Sequence, residues 1–468
     1  MISTALVIAA CILIVSEFVH RQGIRTAHRF KLLDVPSPRR RHRAPTPIIG
    51  GLGIFFTWTL GMAAFSFIQP EWFATHVQSM IPIAVSLVIL ITLGIFDDVK
   101  GLTPKPKFLF QAIAAAIVIA YEPNIHYLCL AWQSVVGVLV WPLMAMWIVG
   151  ITNAVNLVDG LDGLAGGTAL LVSISIAVVS FLSDGFSGIQ GVSMILLASS
   201  ILGFLRFNWC PAKIFLGDNG SLPLGFMIAI NSLTCHSHTH SWVVIASTVL
   251  MLGYPILDMG LAVLRRYQNG LALFKADRNH LHFKVQRLGL NSAQTAIFLL
   301  SISLYLQVSA LCLQLLPISA VPPAIAVVLF SIFGLLYVIR CIENSRVSRI
   351  SSAKQEGIPL RRVGDESMVI QIQLGPIFEV GLFEEKVRFK DLIKSLEMIL
   401  KTTAAKNEIV SMQDMHIQIL LENSVDDQMS IKSVRKKYEE KLEKFCAMVD
   451  LQCSMSTIPV KVKKTASL

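Results

Sequence analysis

Two apolar runs around one polar stretch decide the fold of this chain. Residues 134–152 read SVVGVLVWPLMAMWIVGIT, residues 153–163 read NAVNLVDGLDG, and residues 164–182 read LAGGTALLVSISIAVVSFL. Neither apolar run contains a charged residue, and each has the length, roughly 20 residues, that crosses a bilayer as a helix. Similar runs recur as far as residue 340, so the sequence predicts an all-α polytopic membrane protein.

The composition agrees with a membrane protein. The chain has 468 residues, of which 54% are apolar and 15% are charged, and its mean hydropathy is +0.64. Soluble domains carry about 25% charged residues. These values exclude an ordinary soluble domain, a disordered chain and a collagen-like chain.

The apolar runs predict about eleven transmembrane helices, with the N-terminus in the periplasm and the C-terminus in the cytoplasm. Before Val338, every Lys and Arg falls in one set of alternating loops, and the other set has none. This is the positive-inside pattern. The formal charge is +10, but the placement of the basic residues is explained by the orientation of the protein in the membrane. We therefore expect no nucleic-acid partner. The predicted spans are residues 2–20, 48–67, 79–96, 108–121, 134–152, 164–182, 188–205, 219–235, 242–264, 295–315 and 322–339.

After Ile339 the composition becomes that of a soluble domain. We predict a transmembrane domain over residues 1–340, a linker over 341–366, and a small cytoplasmic α+β domain over 367–468 with a regulatory or docking role. The predicted elements of this tail are strands at Met368–Gln373, Phe378–Phe383 and His416–Leu421, and helices at Asp391–Thr403 and Ile431–Val449.

Acidic residues are scarce before Val338, and four polar groups contain several of them, three at the ends of predicted spans and one in the long loop after the ninth span. A carboxylate in the middle of a bilayer costs roughly 2.5–3.5 kcal/mol on insertion scales, so acidic residues retained in such a chain indicate function. By the alternation of loops, all four groups face the cytoplasm. They are Asp97 with Asp98; Asn153, Asn156, Asp159 and Asp162; Asp218; and Asp277, Arg278, His280 and His282.

Each group also has a plain structural interpretation. Asp97 and Asp98 can be a helix-end pair among the lipid headgroups, the Asn/Asp/Gly stretch can be a turn, and Asp218 can be a helix N-cap. His280 and His282 are two residues apart, so they cannot share one helix face, and they can be surface histidines.

The side chains in these groups favour phosphate chemistry. Carboxylate and amide oxygens with few thiols nearby suit Mg²⁺ or Mn²⁺. Lys107, Arg278, His280 and His282 supply positive charge or hydrogen-bond donors for phosphate. A hard cation, carboxylates and basic groups at a membrane surface together indicate phosphoryl transfer on a lipid.

Five stretches resemble the motifs of the polyprenyl-phosphate N-acetylhexosamine-1-phosphate transferase family, the MraY type, and most closely its bacterial WecA/TagO branch. One departure is visible, because that branch usually reads His-x-His-His and Phe283 holds the last position here. The stretches are Asp34–Pro36 with HRAPTPIIGG at 42–51, GIFDD at 94–98 with Lys107, NAVNLVDGLDGLAGG at 153–167, FLGDNGS at 215–221, and DRNHLHFKVQRLG at 277–289.

The resemblance implies a Mg²⁺-dependent enzyme of the bacterial inner membrane with a cytoplasmic active site. Its reaction would transfer N-acetylhexosamine 1-phosphate, GlcNAc being favoured, from a UDP-sugar to undecaprenyl phosphate and release UMP. This would be the first membrane step of a cell-surface polysaccharide such as O-antigen. Position by position, Asp218 and Asn156 correspond to the metal site, Asn153, Asp159 and Asp162 to the nucleotide and catalytic loop, and Lys107, Arg278, His280 and His282 to diphosphate and sugar contacts.

The family's usual candidate for the base that deprotonates the lipid phosphate is Asp97 or Asp98. We expect cation binding or positioning instead, because a phosphate monoester has a second pKa near 6 and is already mostly dianionic at neutral pH. The larger barrier is charge repulsion, since two unit charges at about 4 Å repel by roughly 4 kcal/mol even at an effective dielectric of 20.

Two other classes of protein stay open. A secondary transporter also carries acidic residues, although transporters place them near mid-bilayer in broken helices and often have inverted repeats; no internal repeat is visible in this sequence. An inactive scaffold would use the tail for recruitment. The sequence leaves open which hexosamine is used, whether the protein forms a homodimer, and whether the tail binds other assembly proteins.

Overall fold

The computed structural model describes residues 1–30, 32–34, 45–184, 187–235, 241–268, 270 and 280–355, together with four strands of the tail. The chain forms two compact units. One comprises Met1–Gln286 and Ser292–Ile339, and the other comprises Arg287–Asn291 and Arg340–Leu468.

The first unit is helical apart from one short pair of strands, β1 (Leu33–Asp34) and β2 (Thr46–Pro47). The helices are α1 (Ile2–Phe30), α2 (Gly50–Ile68), α3 (Pro70–Lys100), α4 (Pro104–Tyr121), α5 (Pro123–Val136), α6 (Val140–Val158), α7 (Leu164–Asp184), α8 (Ile189–Asn208), α9 (Asp218–Thr234), α10 (Ser241–Met251), α11 (Gly253–Gln268), α12 (Leu281–Arg287), α13 (Ser292–Leu315) and α14 (Val321–Gln355).

Within the described residues, eight helical segments are long and apolar enough to cross a membrane, with α5 and α6 together forming one of them. A ninth is reached if α10 and α11, which meet at a bend of 77°, count as one broken span. Each of the eleven predicted spans overlaps a helix, and the two that fall on α4 and α9 are not among these nine. The polytopic, mostly helical architecture expected from the sequence is confirmed.

Helix α9 lies at the centre of the helical unit, since every residue from Asn219 to Ser232 is buried. Two glycines let neighbouring helices contact its first turn. A Cβ atom on Gly51 of α2 would lie 2.1 Å from the Cα of Gly220, and one on Gly94 of α3 would lie 2.4 Å from the backbone of Asn219. Only glycine allows backbones to approach this closely, so these contacts determine where α9 begins relative to α2 and α3.

Backbone hydrogen bonds tie the start of α2 to the chain that leads into α9. The Phe215 N–H donates to the Pro47 carbonyl, and the Gly50 and Gly51 N–H groups donate to the carbonyls of Phe215 and Leu216. Two of the stretches that resemble family motifs, 42–51 and 215–221, are therefore neighbours in space.

The described strands of the second unit are β3 (Ser367–Leu374), β4 (Glu408–Gln413), β5 (His416–Glu422) and β6 (Cys453–Val460). They form an antiparallel sheet of order β4-β5-β3-β6. Because β5 is antiparallel to both β3 and β4, those two strands are parallel, and so are β5 and β6.

The tail matches some of its predicted elements. Strands were predicted where β3 and β5 lie, whereas β4 and β6 were not predicted. Helix α14 continues to Gln355, so much of the predicted linker is helical. The predicted strand at Phe378–Phe383 and the predicted helices at Asp391–Thr403 and Ile431–Val449 lie outside the described residues.

Candidate active site

A lysine bridges two carboxylates where α3, α4 and α9 meet. The Lys107 ammonium donates to Asp97 Oδ2 and to Asp218 Oδ2, each at 2.6 Å. All three side chains are partly buried, so water screens these charges less than it does at an open surface. Three residues predicted for the site, from two separate motifs, are thus in direct contact.

An amide from α6 completes this cluster. Asn156 Nδ2 donates to Asp218 Oδ1 at 2.8 Å and to Ser221 Oγ at 2.8 Å. Ser221 lies three residues after Asp218 on α9, so the two face the same side of that helix. Asn156 therefore holds one oxygen of the Asp218 carboxylate while Lys107 holds the other.

Asp98 has a different environment from its neighbour Asp97. Its carboxylate accepts the backbone N–H of Asp218 at 2.9 Å, the backbone N–H of Asn219 at 3.1 Å and the Asn219 side-chain amide at 2.6 Å. The first N–H groups of a helix have no partner within the helix. Asp98, at the end of α3, therefore caps the first turn of α9 from outside that helix.

Asn219 connects three elements around this cap. Besides donating to Asp98, its side chain donates to the Ile48 carbonyl at 2.6 Å and accepts the Leu52 N–H at 3.1 Å. Sequence reasoning assigned Asn219 no role. Its position directly after Asp218 was the available signal.

Asp97 performs two tasks with its two oxygens. Oδ2 accepts from Lys107, and Oδ1 accepts the Leu102 N–H at 2.6 Å. The second bond closes the turn after α3, where Gly101 adopts a positive φ of 66°. This turn directs the chain into α4 and places Lys107 above Asp97.

Asn153 lies one turn before Asn156 on α6 and contacts a different partner. Its Nδ2 donates to Gln111 Oε1 and to the Val149 carbonyl, and Gln111 Nε2 donates back to Asn153 Oδ1 at 3.4 Å. Gln111 is buried and lies four residues after Lys107 on α4. The pair joins α4 to α6 beneath the Lys107 cluster, and sequence reasoning missed Gln111.

Asp159 follows α6 and is surrounded by other acidic residues. Burial of its carboxyl group and, to a smaller extent, the negative charges of Asp218, Asp98 and Asp162 together raise its pKa to about 8. At neutral pH, without a bound cation, Asp159 is therefore mostly protonated. A cation bound nearby would favour the ionised form of this carboxyl group and lower its pKa again.

Asp162 holds the loop after α8. Its Oδ2 accepts the Ala212 N–H at 2.9 Å, and nearby Gly163 receives support from Asn208, whose side-chain oxygen accepts the Gly163 N–H at 3.0 Å. The structure thus places Asp162 between two loops that border the cluster.

The two histidines of the last motif are buried, with 6% of His280 and 2% of His282 exposed. Their rings are parallel, with centroids 5.8 Å apart. They do not share a helix face, as expected, because His280 precedes α12 and only His282 lies on it. The alternative that they are surface histidines is wrong. A Cβ on Gly160 would lie 2.7 Å from the His282 ring, so His282 packs against the 153–167 stretch. Asp277 and Arg278 lie outside the described residues.

His280 has a partner that sequence reasoning missed. Asp258 of α11 is fully buried; its Oδ2 lies 3.1 Å from His280 Nδ1, and its Oδ1 accepts the Leu281 N–H at 2.7 Å. An acidic residue inside the ninth predicted span, 242–264, was the signal that could have revealed it.

The donor set around Asp218 suits a hard cation. Carboxylate and amide oxygens from Asp97, Asp218, Asp159 and Asn156 are the ligand type that Mg²⁺ and Mn²⁺ prefer. In the part of the chain that the structure describes, no three acidic, histidine or cysteine side chains already converge as a metal site. The Lys107 ammonium lies between two of the carboxylates instead.

The chain is similar to several known proteins. Residues 80–236 match the family model described as glycosyl transferase family 4. The chain is 36% identical over 306 residues to the probable undecaprenyl-phosphate N-acetylglucosaminyl 1-phosphate transferase of Bacillus subtilis. The matching region covers 65% of this chain and 82% of the relative.

Two further relatives carry related names. The decaprenyl-phosphate N-acetylglucosaminephosphotransferase of Mycobacterium leprae is 30% identical over 297 residues, covering 56% of this chain and 72% of the relative. The undecaprenyl-phosphate alpha-N-acetylglucosaminyl 1-phosphate transferase of Escherichia coli K12 is 26% identical over 286 residues, covering 59% of this chain and 74% of the relative. The resemblance seen in the motifs is thereby confirmed, and the chain belongs to glycosyl transferase family 4.

Proposed function

We propose that this protein transfers N-acetylhexosamine 1-phosphate, most favourably GlcNAc 1-phosphate, from a UDP-sugar to undecaprenyl phosphate. A lipid-phosphate oxygen would attack the phosphorus that carries the sugar. One P–O bond forms, the P–O bond to UMP breaks, and UMP leaves with the shared electron pair. The products are undecaprenyl-diphospho-HexNAc and UMP.

One observation carries this proposal: the Lys107 ammonium lies 2.6 Å from both Asp97 and Asp218, and Asn156 binds the other oxygen of Asp218. Joining two phosphate-bearing substrates needs positive charge between them. The cluster provides one cation of its own, and its carboxylates provide the ligands for another.

We further propose that Mg²⁺ or Mn²⁺ binds at Asp218 and Asn156, with Asp97 and Asp159 beside them. When bound, the ion would neutralise diphosphate charge and act as a Lewis acid. The residues of the chain would then perform the remaining tasks. Lys107 would bind a phosphate oxygen, and His280 and His282 would contact the diphosphate or sugar from the side of Gly160.

Asp98 acts in this scheme by positioning and not as a base. Its oxygens already accept three N–H bonds from Asp218 and Asn219. Losing them would release the first turn of α9. The lipid phosphate is also largely dianionic at neutral pH, so removal of a further proton contributes little.

The remaining proposals concern topology and partners. We propose eleven spans in the bacterial inner membrane, an outer N-terminus, and a cytoplasmic active site, because UDP-sugars are cytoplasmic. The tail would form a small cytoplasmic α+β domain that contacts other assembly proteins. Homodimerisation is a separate proposal, tested by the mass of the purified protein in detergent.

The test uses membranes that carry the protein, undecaprenyl phosphate and radiolabelled UDP-GlcNAc, with Mg²⁺ or with EDTA. Chloroform-soluble label and released UMP are measured. We expect label that requires both the metal and Asp218, with Asp218→Ala as the inactive variant. A panel of UDP-HexNAc donors checks the sugar. If folded protein forms no labelled lipid with any donor, a scaffold or a transporter would be favoured instead.

A further inference from the structure

Asp258 is a buried carboxylate in a helix that the catalytic motifs do not include. It lies on α11 after the 77° bend, and none of its surface is exposed. A buried charge is costly unless it is paired and hydrogen-bonded. In this structure both oxygens are used, one by the His280 ring and one by the Leu281 N–H.

The geometry determines which ring nitrogen carries a proton. A carboxylate only accepts hydrogen bonds, so His280 Nδ1, at 3.1 Å from Asp258 Oδ2, must be the donor. In a neutral imidazole with a protonated Nδ1, the other nitrogen, Nε2, presents a lone pair. The carboxylate therefore selects one tautomer and one ring orientation.

The second bond of Asp258 adds to this constraint. Oδ1 accepts the N–H of Leu281, the first residue of α12. One carboxylate thus holds both the His280 ring and the backbone immediately after it. His282, whose ring is parallel to that of His280 at 5.8 Å, follows on the same helix.

We propose that Asp258 is a positioning residue for the transfer reaction, acting through His280. This inference rests on the proposed function, since it requires that His280 contact the substrates. Groups that orient a metal-ligating histidine typically contribute 10- to 100-fold to the activity of the site, and we expect a similar contribution for a histidine that is oriented towards the substrates. We expect Asp258→Asn to lower kcat by roughly that factor and to change KM by less than about threefold.

A double-mutant cycle separates positioning from a general structural role. If Asp258 acts through His280, then Asp258→Asn lowers kcat strongly in the native background and by less than about twofold in a His280→Gln background. A loss of equal size in both backgrounds would overturn the proposal. So would full activity of His280→Gln, which would leave the proposed function standing.

Glu122 provides a matched control. It is also buried, with 3% exposed, and its side chain accepts the Ile125 N–H at 2.7 Å and the Asn124 amide at 2.9 Å. Glu122→Gln removes the same charge from a capping carboxylate at the start of α5. We expect it to lower thermal stability without changing kcat.

A measurement on the native protein covers the case in which Asp258→Asn fails to fold. Histidine ¹⁵N NMR of the full-length protein, with the His280 signals assigned through His280→Gln, reports the protonation of each ring nitrogen. A protonated Nδ1 is expected, and an unprotonated Nδ1 would overturn the proposal. If native membranes transfer no sugar from any donor while Nδ1 is protonated, then the proposed function is wrong, but the hydrogen bond between Asp258 and His280 still stands.

Discussion

The carboxylate of Asp98 accepts the backbone N–H of Asp218 at 2.9 Å. The two residues are 120 positions apart in the sequence, and one anchors the helix turn that presents the other. Asp97, next to Asp98, contacts Asp218 through Lys107 instead. The adjacent acids of the GIFDD stretch therefore have separate tasks, one towards the backbone of α9 and one towards the charged cluster.

Asp98→Asn is expected to lower transfer at least tenfold at every pH between about 6 and 9. The amide would point a donor at one of three N–H groups, and an unsatisfied buried donor costs about 1–3 kcal/mol. The measurements are the pH profile of kcat and the thermal midpoint of purified protein. Recovery of activity near pH 9 would mean that Asp98 removes a proton, and our assignment would be wrong.

Lys107→Met is expected to abolish transfer and to raise the affinity for Mn²⁺ at least tenfold in the absence of substrate. The ammonium lies between Asp97 and Asp218, and a unit positive charge about 4 Å from a divalent cation opposes its binding by roughly 8 kcal/mol at an effective dielectric of 20. Titration of detergent-purified protein with Mn²⁺, followed by electron paramagnetic resonance, measures the affinity.

The control for this change is Lys105→Met. Lys105 lies in the same first turn of α4, and its side chain is exposed. The Lys105→Met substitution should therefore leave the affinity for Mn²⁺ unaltered. Equal affinities in native protein and Lys107→Met would place the cation away from this cluster.

Asp159→Asn is expected to stabilise the cation-free protein, and more so at high pH. The pKa of Asp159 is raised to about 8 from 3.8, so the folded protein binds this proton more tightly than the unfolded chain does. Stability from this group is therefore complete at low pH and is lost as the pH rises towards about 8. Asparagine cannot ionise and avoids that loss.

Thermal midpoints in EDTA, measured for both proteins near pH 5 and near pH 9, test this dependence. The advantage of Asp159→Asn should be larger at the higher pH. An advantage that stays constant with pH would show that Asp159 ionises normally. Added Mg²⁺ should reduce the difference, because a bound cation stabilises the native carboxylate.

Gly94→Ala is expected to prevent assembly of the site. The new Cβ would lie 2.4 Å from the backbone of Asn219, which cannot move without displacing α9. Gly150→Ala is the control, since no atom lies within 4 Å of a Cβ there, and alanine in a helix is favoured over glycine by roughly 0.5–1 kcal/mol. Size-exclusion profiles and activity compare the two; an active, monodisperse Gly94→Ala protein would contradict the close approach.

Local sequence determined the helices and most of the candidate site. Apolar runs of bilayer length specify helices whatever their neighbours are, and scarce polar residues at their ends mark the functional region. Asp97, Lys107, Asn156 and Asp218 were predicted in this way, and they meet in space.

Tertiary structure decided which of these residues touch one another. The Asp98 cap, the pairing of Asn153 with Gln111 and the contact of Asp258 with His280 join residues that are 120, 42 and 22 positions apart in the sequence. Such contacts depend on how closely helices approach, which the glycines at positions 51 and 94 control through backbone contact with α9. Periodicity along one helix carries no information about that distance, so hydropathy alone could reveal the helices and their polar ends but not the partners of Asp98, Asn153 and His280.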